Sequence, residues 1–196
     1  MGIYEFAGCV VSYEPLYGLL RRRMETYRSD TERQPDITLD GTKEDYEKLR
    51  KQYPHLSIEE CEYSCAGAEF YMKLLKHQGF MIHASAVEKE GKAYLFSAPS
   101  GTGKSTHAQL WRQTFKGEPI RIINDDKPAV CLQNGVFYAC GTPFSGKTDK
   151  NENRKAPIQG LCMLHRGKTN KIQKITAGEA LPLILPQTLF YGDEEE

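Results

Sequence analysis

The sequence has no apolar run that approaches the roughly 20 residues needed for a membrane-spanning helix. It has no excess charge of either sign, because 26 basic residues balance 26 acidic ones. A neutral chain has no global electrostatic reason to bind nucleic acid or an anionic membrane, so neither is expected as a partner. No basic segment followed by an apolar stretch opens the chain at Met1–Phe6, so we predict no secretory signal peptide and a cytoplasmic location.

Cysteine pairs with the spacing of a zinc site are also missing. Cys61 and Cys65 lie four residues apart, but two thiols alone make a poor zinc site. We therefore expect the six cysteines to be reduced thiols that mostly fill the core. With 196 residues of ordinary globular composition, the chain is long enough to bury a core without metal or disulfide support.

The pattern of predicted strands and helices changes near residue 80. Residues 1–79 mix short strand candidates, one of them spanning residues 3–13, with helical segments, and Ser57 with Glu60 forms a capping box. Strands are predicted after this point at residues 80–87, 92–98, 120–124, 158–164 and 172–175, with a helix over residues 104–115 and a hairpin turn at Asn134-Gly135. We predict an N-terminal α+β appendage over residues 1–79 and an α/β core over residues 80–196.

A glycine-rich segment, residues 98–106, carries the most specific signal. It reads Ala98-Pro99-Ser100-Gly101-Thr102-Gly103-Lys104-Ser105-Thr106 and fits the phosphate-loop pattern except that Ala98 replaces the first glycine. Glycines let successive backbone amides turn toward phosphate oxygens at a helix N-terminus. The alternative is a plain glycine-rich turn before a helix. The predicted nucleotide-binding residues are Ser100, Gly101, Thr102, Gly103, Lys104, Ser105 and Thr106.

Chemistry at such a loop needs an acidic element as well. Asp125 and Asp126 follow an apolar strand, 21 residues after Lys104. Adjacent carboxylates repel each other unless a cation lies nearby, which favours a site for metal and base over a simple Asx turn. Lys104 would reach the β- and γ-phosphates and the Ser105 hydroxyl would ligate Mg²⁺. No residue pattern identifies a pocket for the base of the nucleotide.

Three segments together resemble one superfamily, that of HPr kinase/phosphorylase and ATP-dependent phosphoenolpyruvate carboxykinase. They are Ile82-His83-Ala84-Ser85-Ala86, the glycine-rich segment, and Asn124-Asp125-Asp126. The chain is most similar to small bacterial HPr-kinase-like proteins. These share the run from Ser100 to Trp111 and two later segments, Gly-Thr-Pro beginning at Gly141 and Gly-Lys beginning at Gly146. The resemblance covers about residues 80–190.

The resemblance implies an α/β fold, with a mixed sheet and a phosphate loop in a core of the HPr kinase/phosphoenolpyruvate carboxykinase type. It implies an ATP- and Mg²⁺-dependent kinase that phosphorylates a hydroxyl of a peptide, a protein or a small molecule. Carboxykinase chemistry and a non-catalytic nucleotide-binding module are the alternatives. The short N-terminal part argues against carboxykinase chemistry. A homo-oligomer is compatible with each of these functions.

Roles for individual residues follow from this reading. In the superfamily the residue that matches His83 lies near the transferred phosphate. Asp125 is the expected general base and Asp126 the expected Mg²⁺ ligand, although the sequence does not separate these two roles. In the polar loop over residues 141–155, Arg154 would stabilise charge on the γ-phosphate, and Lys147 would hold an acceptor anion or lie in solvent.

Overall fold

The computed structural model describes residues 1–189 as an α/β protein with two sheets. The smaller sheet has the order β1 (Gly2–Phe6), β2 (Cys9–Tyr13) and β3 (Ile37–Thr38). Three helices accompany it: α1 (Gly18–Met24), α2 (Lys43–Gln52) and α3 (Ile58–Leu74). The last residues of the predicted core, 190–196, lie outside the described part of the chain.

The larger sheet has seven strands and is mixed, as predicted. Its order is β4 (Gly79–Met81), β8 (Ala129–Gln133), β9 (Val136–Cys140), β10 (Lys155–Met163), β6 (Lys92–Ser97), β5 (Ala84–Lys89) and β7 (Arg121–Asn124). Helix α4 (Lys104–Thr114) follows β6, and α5 (Ala177–Ile184) lies near the end of the described chain. No helix among residues 1–189 is both long enough and apolar enough to cross a membrane.

Strand direction decides where the chain leaves this sheet. Strand β10 pairs with β6 in parallel, while β5 is antiparallel to both β6 and β7. Strands β6, β7 and β10 therefore run the same way, and their carboxyl ends meet at one edge. The segments that follow them are residues 98–103, Asp125-Asp126 and residues 164–166. The fold thus brings the two chemical motifs of the sequence together.

Local signals explain several elements. The Ser57 hydroxyl accepts from the Glu60 amide at 3.2 Å and the Glu60 carboxylate accepts from the Ser57 amide at 2.8 Å, which confirms the predicted capping box at the start of α3. The predicted hairpin is also present, with Asn134 at φ +50° and Gly135 at φ +77° between β8 and β9.

Three strand predictions were wrong. Residues 80–87 do not form one strand but are divided between β4, which pairs with β8, and β5, which pairs with β6 and β7. Residues 3–13 form a hairpin of two strands, because Ala7 at φ +54° and Gly8 at φ +81° turn the chain back. Residues 172–175 form no strand. Ile172 is largely exposed, so this alternating Ile-Gln-Lys-Ile segment buries no face against the sheet there.

The two parts of the chain share one aromatic core. Phe144, from the loop after β9, is buried against α3. Its ring centroid lies 5.8 Å from that of Phe70 and 5.7 Å from those of Tyr63 and Tyr71. Aromatic pairs of this kind contribute about 0.5–1.5 kcal/mol each beyond the area that they bury. The N-terminal part is therefore packed onto the segment that follows β9.

The N-terminal part contains a buried carboxylate, Glu62, whose oxygens accept several hydrogen bonds. Its carboxylate is fully buried on α3 and accepts from the Tyr13 hydroxyl at 3.0 Å, the Leu16 amide at 2.5 Å and the Tyr17 amide at 3.1 Å. These bonds fix the chain where it enters α1.

We predict that Glu62→Ala lowers the free energy of unfolding by about 2–3 kcal/mol, because it leaves buried donors without an acceptor. Urea denaturation monitored by circular dichroism measures this. Glu59→Ala on the same helix is the matched control, since Glu59 accepts only an exposed bond from the Gly18 amide, and it should lower the value by less than about 1 kcal/mol. Equal losses in both variants would contradict this account of Glu62.

Candidate functional site

The glycine loop, residues 98–103, connects β6 to α4 at the edge where the three strands end. Gly101 has φ +76° and Gly103 has φ +117°, and a side chain at either position would be strained although the space around both is open. No side chain caps α4. Within the described residues, the first amides of this helix thus remain available to an external acceptor, and the helix dipole favours an anion there.

Lys104 begins α4 and points back into the loop. Its Nζ donates to the Ala98 carbonyl at 2.9 Å, and only 7% of the residue is exposed. Burial lowers the pKa of Lys104, while the charges of Asp126 and Asp125 act in the opposite direction. The ammonium group therefore lies in a buried, largely desolvated position within the field of both carboxylates.

Asp125 follows β7 and is 3% exposed. Its Oδ1 accepts from the Ser85 hydroxyl at 2.7 Å and its Oδ2 accepts from the Thr148 hydroxyl at 3.0 Å. Ser85 is buried in β5, whereas Thr148 lies on an exposed part of the loop after β9. The carboxylate is thus oriented by one hydroxyl from the sheet and covered by another from the loop.

Asp126 is more open, with 25% of its side chain exposed. Its Oδ1 lies 3.4 Å from His83 Nε2, and its Oδ2 pairs with the Lys127 ammonium. Burial would raise the pKa of this carboxyl, but His83 and Lys127 together outweigh it and hold the pKa at about 2. Asp126 is therefore a permanent anion near neutral pH.

The turn that presents both carboxylates is built by Asn124. Its side-chain oxygen accepts from the Asp126 amide at 3.0 Å and the Lys127 amide at 2.8 Å, while its amide nitrogen donates to the Thr142 carbonyl at 3.1 Å. The Asx turn that the sequence offered as an alternative is therefore present. It acts here as the support that places the two carboxylates side by side.

His83 is held by a residue that the sequence gave no reason to select. Its Nδ1 lies 3.2 Å from Gln187 Oε1, and its backbone amide donates to the Gln187 carbonyl at 2.7 Å. Gln187 follows α5 and is 104 residues away in the chain. The turn after α5 thus fixes the ring that contacts Asp126.

A clamp from the N-terminal part holds the loop that covers the carboxylates. Arg23 donates from Nη2 to the Gly146 carbonyl at 2.8 Å, and its Nε lies 3.1 Å from Asp149 Oδ1. The Tyr63 hydroxyl accepts from the Gly146 amide at 2.9 Å, and the Arg23 guanidinium stacks over the Tyr63 ring. Since Thr148 lies between the two clamped residues, Arg23 fixes the segment that reaches Asp125.

Gly146 also has to be a glycine for the loop to lie so close. It has φ +67°, and a Cβ there would come within 2.6 Å of Asp126 Oδ2 and 2.8 Å of Asp126 Cβ. The loop backbone therefore passes directly against the second carboxylate.

The structure does not bring every predicted residue to this edge. Arg154 is paired with Glu88, with 2.6 Å between Nε and Oε2, and with Glu152 at 3.2 Å. Glu88 pairs in the sheet with Ala93 and Arg121, toward the edge opposite the glycine loop. Arg154 lines a separate polar pocket of about 910 Å³ there, which contains neither the glycine loop nor the carboxylates.

The remaining predicted residues lie on or beside the loops. Lys147 is exposed. Hydrogen bonds from Ser57 lower the pKa of Glu60 on α3, and the positive charge of Lys147 adds to that effect. Ser100 and Thr106 are exposed, and Thr102 and Ser105 are half-buried. Within residues 1–189, no group of three or more His, Cys, Asp or Glu side chains is placed to hold a metal ion.

No protein-family model matches the chain, and no curated protein matches it. Among solved structures, the chain is similar to "Structure of the Hpr(Ser) kinase/phosphatase from Coxiella burnetii", with 13% identity and a TM-score of 0.35. The match covers 48% of this chain and 65% of that one, so this chain spans less than two thirds of that protein.

We predict that Arg23→Met lowers the free energy of unfolding by about 2 kcal/mol, because it removes charge-assisted bonds to the loop. Thermal or urea denaturation measures the loss. Arg22→Met is the matched control, as Arg22 is the exposed neighbour on the same helix. If the two variants unfold alike, Arg23 does not stabilise the loop.

Proposed function

We propose that the protein is an ATP-dependent kinase that transfers the γ-phosphoryl group to a hydroxyl of a peptide, a protein or a small molecule. One observation carries the proposal: the open amides of α4, the buried Lys104 ammonium and the carboxylates of Asp125 and Asp126 meet at one edge of the sheet. Phosphoryl transfer relies on positioning and on electrostatic stabilisation of the phosphate oxygens. These groups supply both.

The glycine loop would bind the phosphates. The amides at the start of α4 donate to phosphate oxygens, and Lys104 exchanges its bond to the Ala98 carbonyl for one to phosphate. A lysine that is already buried loses little solvation in this exchange. The same burial makes its charge more effective than that of an exposed lysine, because the local dielectric is lower.

Asp126 and the Ser105 hydroxyl would hold Mg²⁺. Both offer hard oxygen atoms, which Mg²⁺ prefers, and Mg²⁺ usually completes its shell with water and substrate phosphates rather than with a full protein cage. The pKa of about 2 keeps Asp126 ionised, which fits a metal ligand. When bound, Mg²⁺ neutralises charge on the β- and γ-phosphate oxygens.

Asp125 would accept the proton from the acceptor hydroxyl. The pKa of Asp126 makes that neighbour a weak proton acceptor, which favours Asp125 for this role. Ser85 holds one oxygen of Asp125, while Thr148 presents a hydroxyl to the other from an exposed loop. An acceptor hydroxyl that takes the place of the Thr148 hydroxyl would approach the base with the geometry that proton transfer needs.

Of the two other predicted catalytic residues, His83 and Arg154, only His83 has a part in the proposed reaction. His83 lies against Asp126, where it would help to balance the carboxylate charge and orient the metal ligand. Arg154 has no part in the proposed reaction, because its guanidinium is engaged by Glu88. Lys147 remains a proposed contact for an anionic group of the acceptor, since it lies beside Thr148 on the same exposed turn.

We predict that Lys104→Ala weakens MgATP binding by at least about tenfold, since a charge-assisted bond of this kind contributes about 1.5–3 kcal/mol. Isothermal titration calorimetry on the folded variant measures the dissociation constant. Lys116→Ala is the control, because Lys116 is an exposed lysine just beyond α4 and should leave the affinity unchanged. Unchanged affinity in Lys104→Ala would remove the basis of the kinase proposal.

We predict different effects for the two carboxylates. Asp125→Asn should lower the rate of phosphoryl transfer by roughly 10²–10⁴-fold at saturating Mg²⁺ with little change in MgATP affinity. Asp126→Asn should instead raise the Mg²⁺ concentration that is needed for half-maximal rate. Single-turnover ATP hydrolysis across a Mg²⁺ titration measures both while the acceptor is unknown. The opposite pattern would exchange the two roles, and full activity in both variants would favour a non-catalytic nucleotide-binding module.

A further inference from the structure

The edge that carries the candidate site continues on the other side of the glycine loop. In the order β10-β6-β5-β7, the loop follows β6, the carboxylates follow β7, and residues 164–166 follow β10. Strand spacing of about 4.8 Å puts the ends of β10 and β7 roughly 14 Å apart along the edge. A ligand whose phosphates lie in the loop, with the terminal one toward Asp125, therefore has its other end directed toward residues 164–166.

A shallow pocket of about 440 Å³ lies at that place. It is formed by the glycine loop itself, by α4, and by the segment after β10. The side chains that matter here are Thr106, His107, Leu110, Leu164, His165 and Arg166. Arg166 ties the two walls together, because its Nη2 donates to the Gly101 carbonyl at 2.6 Å.

The chemistry of the pocket suits a flat, partly apolar group. Leu110 is 49% exposed and, with Leu164, gives the pocket apolar surface, while two imidazoles and a guanidinium offer planar groups for stacking. The His107 ring packs edge-on against Phe96, with centroids 4.4 Å apart. This contact holds the His107 ring in place on the wall of the pocket.

We propose that this pocket binds the nucleoside of the nucleoside triphosphate, with the base against Leu110, His107 and His165. The proposal rests on the proposed function, since it assumes that the glycine loop holds the phosphates. The pocket is shallow and open to solvent. Binding thus depends on stacking and apolar contact, and ATP and GTP bind with affinities within about tenfold of each other.

Comparison of MgATP with magnesium tripolyphosphate tests the pocket separately from the loop. Both carry three phosphates, but only ATP carries a nucleoside. In the unmodified protein, calorimetry should give a dissociation constant for ATP at least about tenfold lower than that for tripolyphosphate. Equal affinities would overturn the pocket while leaving phosphate binding by the loop intact. Failure of both ligands to bind would overturn the proposed function and the pocket together.

A pair of substitutions then tests the named residues. In Leu110→Ser/His165→Ser, the dissociation constant for ATP should rise about tenfold and that for tripolyphosphate should stay within about twofold. Leu75→Ser is the matched control, because Leu75 is 46% exposed on another surface and should change neither value. An unchanged ATP affinity, or an equal loss for both ligands, would overturn the assignment. Far-ultraviolet circular dichroism checks that the variant is folded.

Discussion

The candidate site depends on the common direction of three strands. Because β6, β7 and β10 all end at one edge, the glycine loop, the two carboxylates and the segment after β10 are neighbours although they are far apart in the chain. Strand β5 runs against them and begins at the same edge, which brings Ser85 beneath Asp125. Reversing any one strand would carry its chemical group to the far side of the sheet.

Charge at this edge is arranged so that no carboxylate lacks a partner. Asp125 is nearly buried and accepts from the Ser85 and Thr148 hydroxyls, whereas Asp126 is partly exposed and lies beside His83 and the Lys127 ammonium. Two like charges on adjacent residues thus have different surroundings. Burial lowers the pKa of Lys104, and the charges of Asp126 and Asp125 act against that effect.

Local patterns in the sequence identified the glycine loop, the aspartate pair, the capping box of α3 and the β8–β9 hairpin. Each of these signals is complete within a few residues. The partners that orient the carboxylates were not foreseen, since Ser85 and Thr148 lie 40 and 23 residues from Asp125. Arg23 reaches the loop across 123 residues, and no local pattern encodes such a contact. The strand predicted over residues 172–175 is wrong for a related reason, because a short alternating pattern does not specify a neighbouring strand.

Because Phe144 packs against α3, the predicted boundary near residue 80 lies within a shared core. The protein should not be divided there. A fragment that starts at residue 80 would keep the glycine loop and both aspartates, yet it would expose a phenylalanine that now contacts three rings of α3. The same truncation would remove Arg23, which holds the turn that carries Thr148. Fusion partners, tags or split-protein designs therefore belong at other surface loops, such as the exposed Glu90-Gly91 turn.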